Sequence, residues 1–151
     1  MKNGITSLAG ICGVLYPIII IGASLLAVSL APTFDWNSNW LSDLGGQMPP
    51  TPNPWTYSIP GIITMPLYDR PYVTTKTTAP IFNTGLILAG LILLIFSIGL
   101  RRSLLTPGGR LAALLLIISS IAIILVGIFP ETAGIFHTGP AVIAVSYTHL
   151  R

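Results

Sequence analysis

Apolar residues along this chain neither alternate with polar ones nor keep to one helical stripe; over three stretches they simply run on. From about Leu8 to Ala31, from Ile81 to Leu100 and from Leu111 to Phe129 no charged residue interrupts them. Each run meets the roughly 20 residues that a helix needs to cross the hydrocarbon core of a bilayer. Backbone groups in lipid must bond to one another, so unalternating runs of this length predict helices, whereas barrel strands would alternate. A fourth apolar stretch, about His137 to Val145, is too short for a full crossing, and the chain then ends at Arg151, so the sequence reads as a fragment. The pattern predicts an all-α fold: a polytopic transmembrane helix bundle with three full spans and a truncated fourth, in a single domain over residues 1–145.

The polar intervals between these runs carry their own patterns. At helical spacing Trp36, Trp40, Leu41 and Leu44 share one side of the segment 35–45, and Asp35, Asn39 and Ser42 the other, with Gly45 and Gly46 as a stop. That predicts a short amphipathic helix lying in the membrane interface, with Asp43 near the boundary between its faces. From Met48 to Pro80 the prolines are too dense for a helix or a central strand, so residues 32–80 as a whole are expected to form a long loop. Its aromatics Trp55, Tyr57, Tyr68 and Tyr72 suit the headgroup level. Arg101, Arg102 and Arg110 fill the short link between the second and third spans, and positive short loops stay in the cytoplasm. The expected location is therefore the cell membrane, with the amino terminus inside and loop 32–80 outside.

Composition narrows the picture further. Of 151 residues, 52% are apolar and 7% charged, against roughly a quarter charged in soluble domains. Lipid is the partner this implies. The net charge of +3 is too sparse for a nucleic-acid surface, and the single cysteine, Cys12, excludes an internal disulfide. Ser29-Leu30-Ala31 imitates a signal-peptidase site, but the apolar run before it is longer than a signal peptide needs, which favours a retained anchor. The tail from Ser146 to Arg151 is polar where apolar residues are expected; it resembles a translated adaptor and is read as non-native.

Common enzyme signatures do not occur: no Walker loop, no Gly-x-Ser-x-Gly, no His-Glu-x-x-His and no Cys-x-x-Cys. Gly85 and Ala89 form a small-xxx-small pair beside Gly90, expected to admit a neighbouring helix, and Ser119 and Ser120 are expected to bond to their own helix. The candidate chemistry lies at the span ends, where Asp43, Glu131 and His137 are the candidate catalytic residues and Asn39, Ser42 and Asn83 their polar support. Two carboxylates and an imidazole can divide acid and base roles or hold a divalent metal. They can equally pair with one another, His137 with Glu131 or Asp43, and fix the helix ends. Metal content, cofactors and oligomeric state stay open at this point, as does any lipid or small-molecule ligand.

Taken together, Asn39-Trp40-Leu41-Ser42-Asp43-Leu44-Gly45, Ile81-Phe82-Asn83-Thr84-Gly85-Leu86, and Gly127-Ile128-Phe129-Pro130-Glu131 with His137 resemble the prokaryotic multispan membrane family catalogued as domain of unknown function 998. The resemblance implies a protein of about six spans with Asp43, Asn83, Glu131 and His137 at motif positions, and treats Met48 to Thr78 as an insertion. It supplies no reaction. A more distant similarity is to ceramidase-like membrane hydrolases, although their set of metal-binding histidines is missing here. Three functions are therefore weighed: a binding or structural membrane protein, a membrane-embedded and metal-dependent hydrolase of a lipid or lipid-linked substrate, and a small transporter. Serines and glycines alone at mid-span speak against the last.

Overall fold

The computed structural model describes residues 2–47, 57–59, 63–65 and 71–146; of residues 2–6, 57–59, 63–65 and 146 it describes the backbone alone. The expected non-native tail therefore lies outside the described residues from 147 onward.

Four helices carry the fold. Helix α1 spans Lys2–Ser29, and after a one-turn helix α2 (Asp43–Gly46) come α3 (Thr78–Ser103), α4 (Pro107–Ile128) and α5 (Ile135–Ser146). All three expected spans form, and α1, α3 and α4 are long and apolar enough to cross a membrane. Each begins earlier than the apolar run alone suggested. Helix α3 starts at Thr78 because Pro80 falls in its first turn, where a missing N–H costs no helical bond. Thr75 and Thr78 cap that start reciprocally: Thr78 N–H donates to Thr75 Oγ1 at 2.9 Å and Thr75 N–H to Thr78 Oγ1 at 2.8 Å. Helix α4 opens with Pro107 behind an N-cap, Thr106, whose hydroxyl accepts from Gly109 N–H at 3.2 Å.

The helices lie in a row. Helix α3 packs on α1 along one side and on α4 along the other, and α5 packs on α4. Neighbours run antiparallel: Gly13 of α1 abuts Phe96 of α3 while Ala23 abuts Gly85, and on the other side Gly90 abuts Ile124 while Gly127 abuts Asn83 and Ile87. Gly85 sits so close to Ala23 that a Cβ there would overlap the alanine methyl, which is the close approach expected of the small-xxx-small pair. Ser120 bonds to the Leu116 carbonyl of its own helix at 2.5 Å, as expected. The outward faces carry Ile11, Ile18, Ile21 and Leu25 of α1, Leu88, Leu91 and Ile95 of α3, and Leu114, Ile118 and Ile121 of α4, all exposed. Apolar surface this continuous has no place in water; the chain is a multi-pass membrane protein whose surroundings are a lipid bilayer.

The segment after α1 differs from expectation. Residues 35–45 do not form one amphipathic helix. They form successive turns, and only Asp43–Gly46 closes a helical turn. The cause lies at Asp35, whose Oδ1 accepts from the Asn37 backbone N–H at 3.0 Å and whose Oδ2 accepts from Ser38 Oγ at 2.8 Å. Side chains that bond their own backbone in this way offer it an alternative to the helix. Within the Pro-rich loop a three-residue antiparallel ladder pairs Tyr57–Ile59 with Ile63–Met65, a local hairpin that leaves the fold class unchanged.

Candidate functional site

The polar residues singled out in the sequence gather at the end of the row where α3 begins and α4 finishes, the end that also carries the long loop. Asp43 is the centre of this end. It is 0% exposed, and its Oδ2 accepts from Asn39 Nδ2 at 3.0 Å and from the Trp40 backbone N–H at 2.9 Å. Its predicted place at an amphipathic boundary is thereby corrected: without a continuous helix, the turn at 40–43 rolls the carboxylate inward onto its own chain.

Asn39, expected as support, is a three-way tie. Besides Asp43 its Nδ2 donates to the Pro71 carbonyl at 2.9 Å, and its Oδ1 accepts from Asp35 N–H at 3.1 Å. Ser42 occupies the N-cap of α2 without a side-chain capping bond. Asn83, one turn into α3, donates through Nδ2 to the Gly45 carbonyl at 2.8 Å. A Cβ at Gly45 would overlap that amide, and one at Gly46 would meet Pro130 Cβ at 2.5 Å. Two glycines thus let α2 settle directly between the start of α3 and the turn that follows α4.

That turn is a single 3-10 turn, Glu131–Ala133, and α2 and α5 both pack against it. Gly134, at φ 60, reverses the chain into α5. Glu131 therefore lies next to the turn that holds Asp43, with its Oε2 buried. His137 is 7% exposed, and its Nδ1 lies 2.7 Å from the Phe129 carbonyl. A carbonyl only accepts, so Nδ1 carries the hydrogen and a neutral imidazole keeps its lone pair on Nε2. The bond at Nδ1 goes to a carbonyl, not to Glu131 or Asp43. It satisfies one of the acceptors that the C-terminus of α4 would otherwise leave bare. The rings of Phe129 and Phe136 pack beside it, 5.8 Å between centroids.

Several contributors lie outside the sequence-derived set. Thr74 Oγ1 donates to the Asp43 carbonyl at 2.5 Å and receives Gln47 N–H at 2.6 Å, while Gln47 Oε1 accepts from Val73 N–H at 2.9 Å. The two stems of the Pro-rich loop, 43–47 and 71–74, are thereby stapled together on top of α3. Leu44, Val73 and Phe82 fill the space beneath with Ala27 and Ala31. The run Thr74-Thr75-Lys76-Thr77-Thr78 is the one visible signal for this role, since threonines ahead of an apolar run mark a helix start.

Asp35, outside the spans, is held below the ordinary carboxylate value of 3.8, chiefly by the Asn37 backbone N–H and then by the Ser38 hydroxyl. Among the described residues no three His, Cys, Asp or Glu side chains lie together as a metal-holding group. The donor set that a metal-dependent hydrolase requires is thus not assembled among them.

Comparison with curated proteins and with solved structures gave no match. The family match, by contrast, covers residues 72–147, from the second loop stem through α5, and so includes Asn83, Glu131 and His137 while leaving α1, Asn39 and Asp43 outside it. That stretch is half of the chain, and the protein belongs to the family described as protein of unknown function DUF998.

Proposed function

We propose that the protein is a non-catalytic binding or structural component of the cell membrane, in which the polar cluster locks the loop stems onto the helix ends. The observation that carries this reading is the enclosure of Asp43: a carboxylate without solvent access, already accepting two hydrogen bonds from its own chain, is engaged in holding structure. Asn83 and His137 do likewise, each tied to a backbone carbonyl. On this reading the arginine link and the amino terminus face the cytoplasm, and the cluster with its loop faces outward.

The test is metal content and thermal unfolding of the purified protein beside Asp43→Ala and His137→Ala. We expect background metal in all three and a lower unfolding midpoint in both variants. Stoichiometric metal in the parent, lost in the variants, would overturn the proposal.

A second reading, a membrane-embedded hydrolase of a lipid or lipid-linked substrate, is favoured by one feature. His137 is mostly buried and its Nδ1 is held by the Phe129 carbonyl, a bond that orients the ring as a general base requires. It requires turnover of a lipid ester or amide that His137→Gln abolishes without lowering the unfolding midpoint.

A further inference from the structure

The opposite end of the row is built from other chemistry. Helix α3 finishes at Ser103 and α4 starts at Pro107, so three residues join two spans. Arg101 and Arg102 occupy the last turn of α3 and Arg110 the first turn of α4, and all three side chains are exposed. Arg110 Nε donates to the Leu104 carbonyl at 3.3 Å, which ties the guanidinium to the link that joins the two helices. The carboxylates among the described residues, Asp35, Asp43 and Glu131, all belong to the loop end, a span's length away. Among the described residues, three guanidiniums therefore share one corner of the membrane boundary with no acid of their own chain to pair with.

Between them stands Leu105, 82% exposed. Among the described residues none covers it. An apolar tip flanked by cations, set at the end of two spans, offers a phospholipid a cationic partner for its phosphate and an apolar contact besides. Guanidinium binds phosphate oxygens in a planar, bidentate way that a hydrated ammonium does not reproduce. The negative end of the α3 dipole and the positive end of the α4 dipole meet in this link and offset one another, so its positive charge is that of the three guanidiniums.

From this corner we infer that the α3–α4 link is a binding site for anionic phospholipid, with Arg101, Arg102 and Arg110 on the phosphate and Leu105 at the start of the acyl chains. The site sits at the membrane boundary whichever way the protein is oriented, so it does not depend on the role assigned to the loop end. A phosphodiester carrying a net negative charge is preferred over phosphatidylcholine, whose choline cancels that charge. Each arginine near such a surface is worth roughly a fivefold preference.

The experiment reconstitutes the full chain in nanodiscs of phosphatidylcholine with increasing phosphatidylglycerol and follows retained lipid by native mass spectrometry. Retention of phosphatidylglycerol over phosphatidylcholine should be on the order of a hundredfold for three arginines and should fall as salt is raised. R101Q/R102Q/R110Q should lose the preference, and R101K/R102K/R110K should keep only its salt-sensitive part. Equal retention of both lipids by the parent would overturn the inference, as would a preference indifferent to salt, two readings that need no variant to fold. A triple glutamine variant with undiminished preference would overturn it too. So would displacement of phosphatidylglycerol by soluble glycerol phosphate at matched concentration, because the site would then take a free phosphate and not a membrane lipid.

Discussion

At the loop end, Asn39 reaches Pro71 across 32 residues, Thr74 reaches Asp43 across 31 and Gln47 reaches Val73 across 26, each through a side-chain hydrogen bond. Further along the same helices, Gly85 meets Ala23 and Gly90 meets Ile124 with no polar link between the pairs. The two regions hold one set of helices by different forces because their solvents differ. Within lipid, apolar side chains gain nothing by leaving the solvent, so helices associate by close backbone approach and packing. At the boundary water competes for every donor and acceptor, and a hydrogen bond is dependable only where burial excludes it. Asp43, Asn39 and Thr78 are accordingly buried.

The sharpest way to break this contrast is Asn39→Ala. It removes three bonds together and leaves the buried Asp43 Oδ2 one of the two donors described for it. The expected loss is about 3 kcal/mol, the range for a buried polar group deprived of its partner, read as a lower denaturant midpoint. The span region has its counterpart in Gly85→Leu, where the added side chain must displace Ala23. About 2 kcal/mol is expected for such overpacking, measured by helix association in a bilayer. Gly22→Leu on α1 supplies the control, since nothing lies within 4 Å of its would-be Cβ. Equal effects at the two glycines would mean that close approach does not hold α1 to α3.

How much of this was readable in the chain follows the same division. The spans were legible because an uncharged run of such length has few alternatives, and their ends were misjudged because capping overrides hydropathy: Thr75 and Thr78 extend α3 ahead of its apolar run. The periodicity of Trp36, Trp40 and Leu44 pointed to a helix that the Asp35 turn prevents. Asp43 and Asn83 stood out in the sequence because polar groups at span ends are few, and both are hydrogen-bonded at the loop end. Gln47 and Thr74 were not, since a bond between residues 26 or more apart leaves no local pattern. His137 stood out as well, but its partner did not: the two carboxylates suggested an ion pair, whereas its Nδ1 meets the Phe129 carbonyl at the end of α4.

A smaller effect sharpens the boundary between the regions. Thr78→Val keeps the shape of a fully buried side chain while removing the hydroxyl that accepts from Thr75 N–H and donates to the Val73 carbonyl at 3.3 Å. The α3 cap should weaken by about 1 kcal/mol, visible as faster amide exchange at residues 78, 79 and 81 and unchanged exchange from Gly85 onward. Loss of protection spreading down α3 would show that the hydrogen-bonded end and the packed middle form one cooperative unit.

The smallest expected effect is one of pH. Asp35 is held below its ordinary value of 3.8 because the folded turn bonds its charged form, first through the Asn37 N–H and then through the Ser38 hydroxyl. A depressed carboxylate contributes stability above its unfolded value, and that contribution is lost as pH falls through the folded one. The turn should therefore loosen only below about pH 3.8, and because Asp35 is only half-buried the consequence stays local. Trp36 reports it, with its ring edge-on to Phe34 at 5.0 Å: its fluorescence should titrate in that acid window in the parent and lose the step in Asp35→Asn. An unaltered step in the variant would show that the transition does not belong to Asp35 and that its hydrogen bonds to Asn37 and Ser38 do not set the acid limit of the turn.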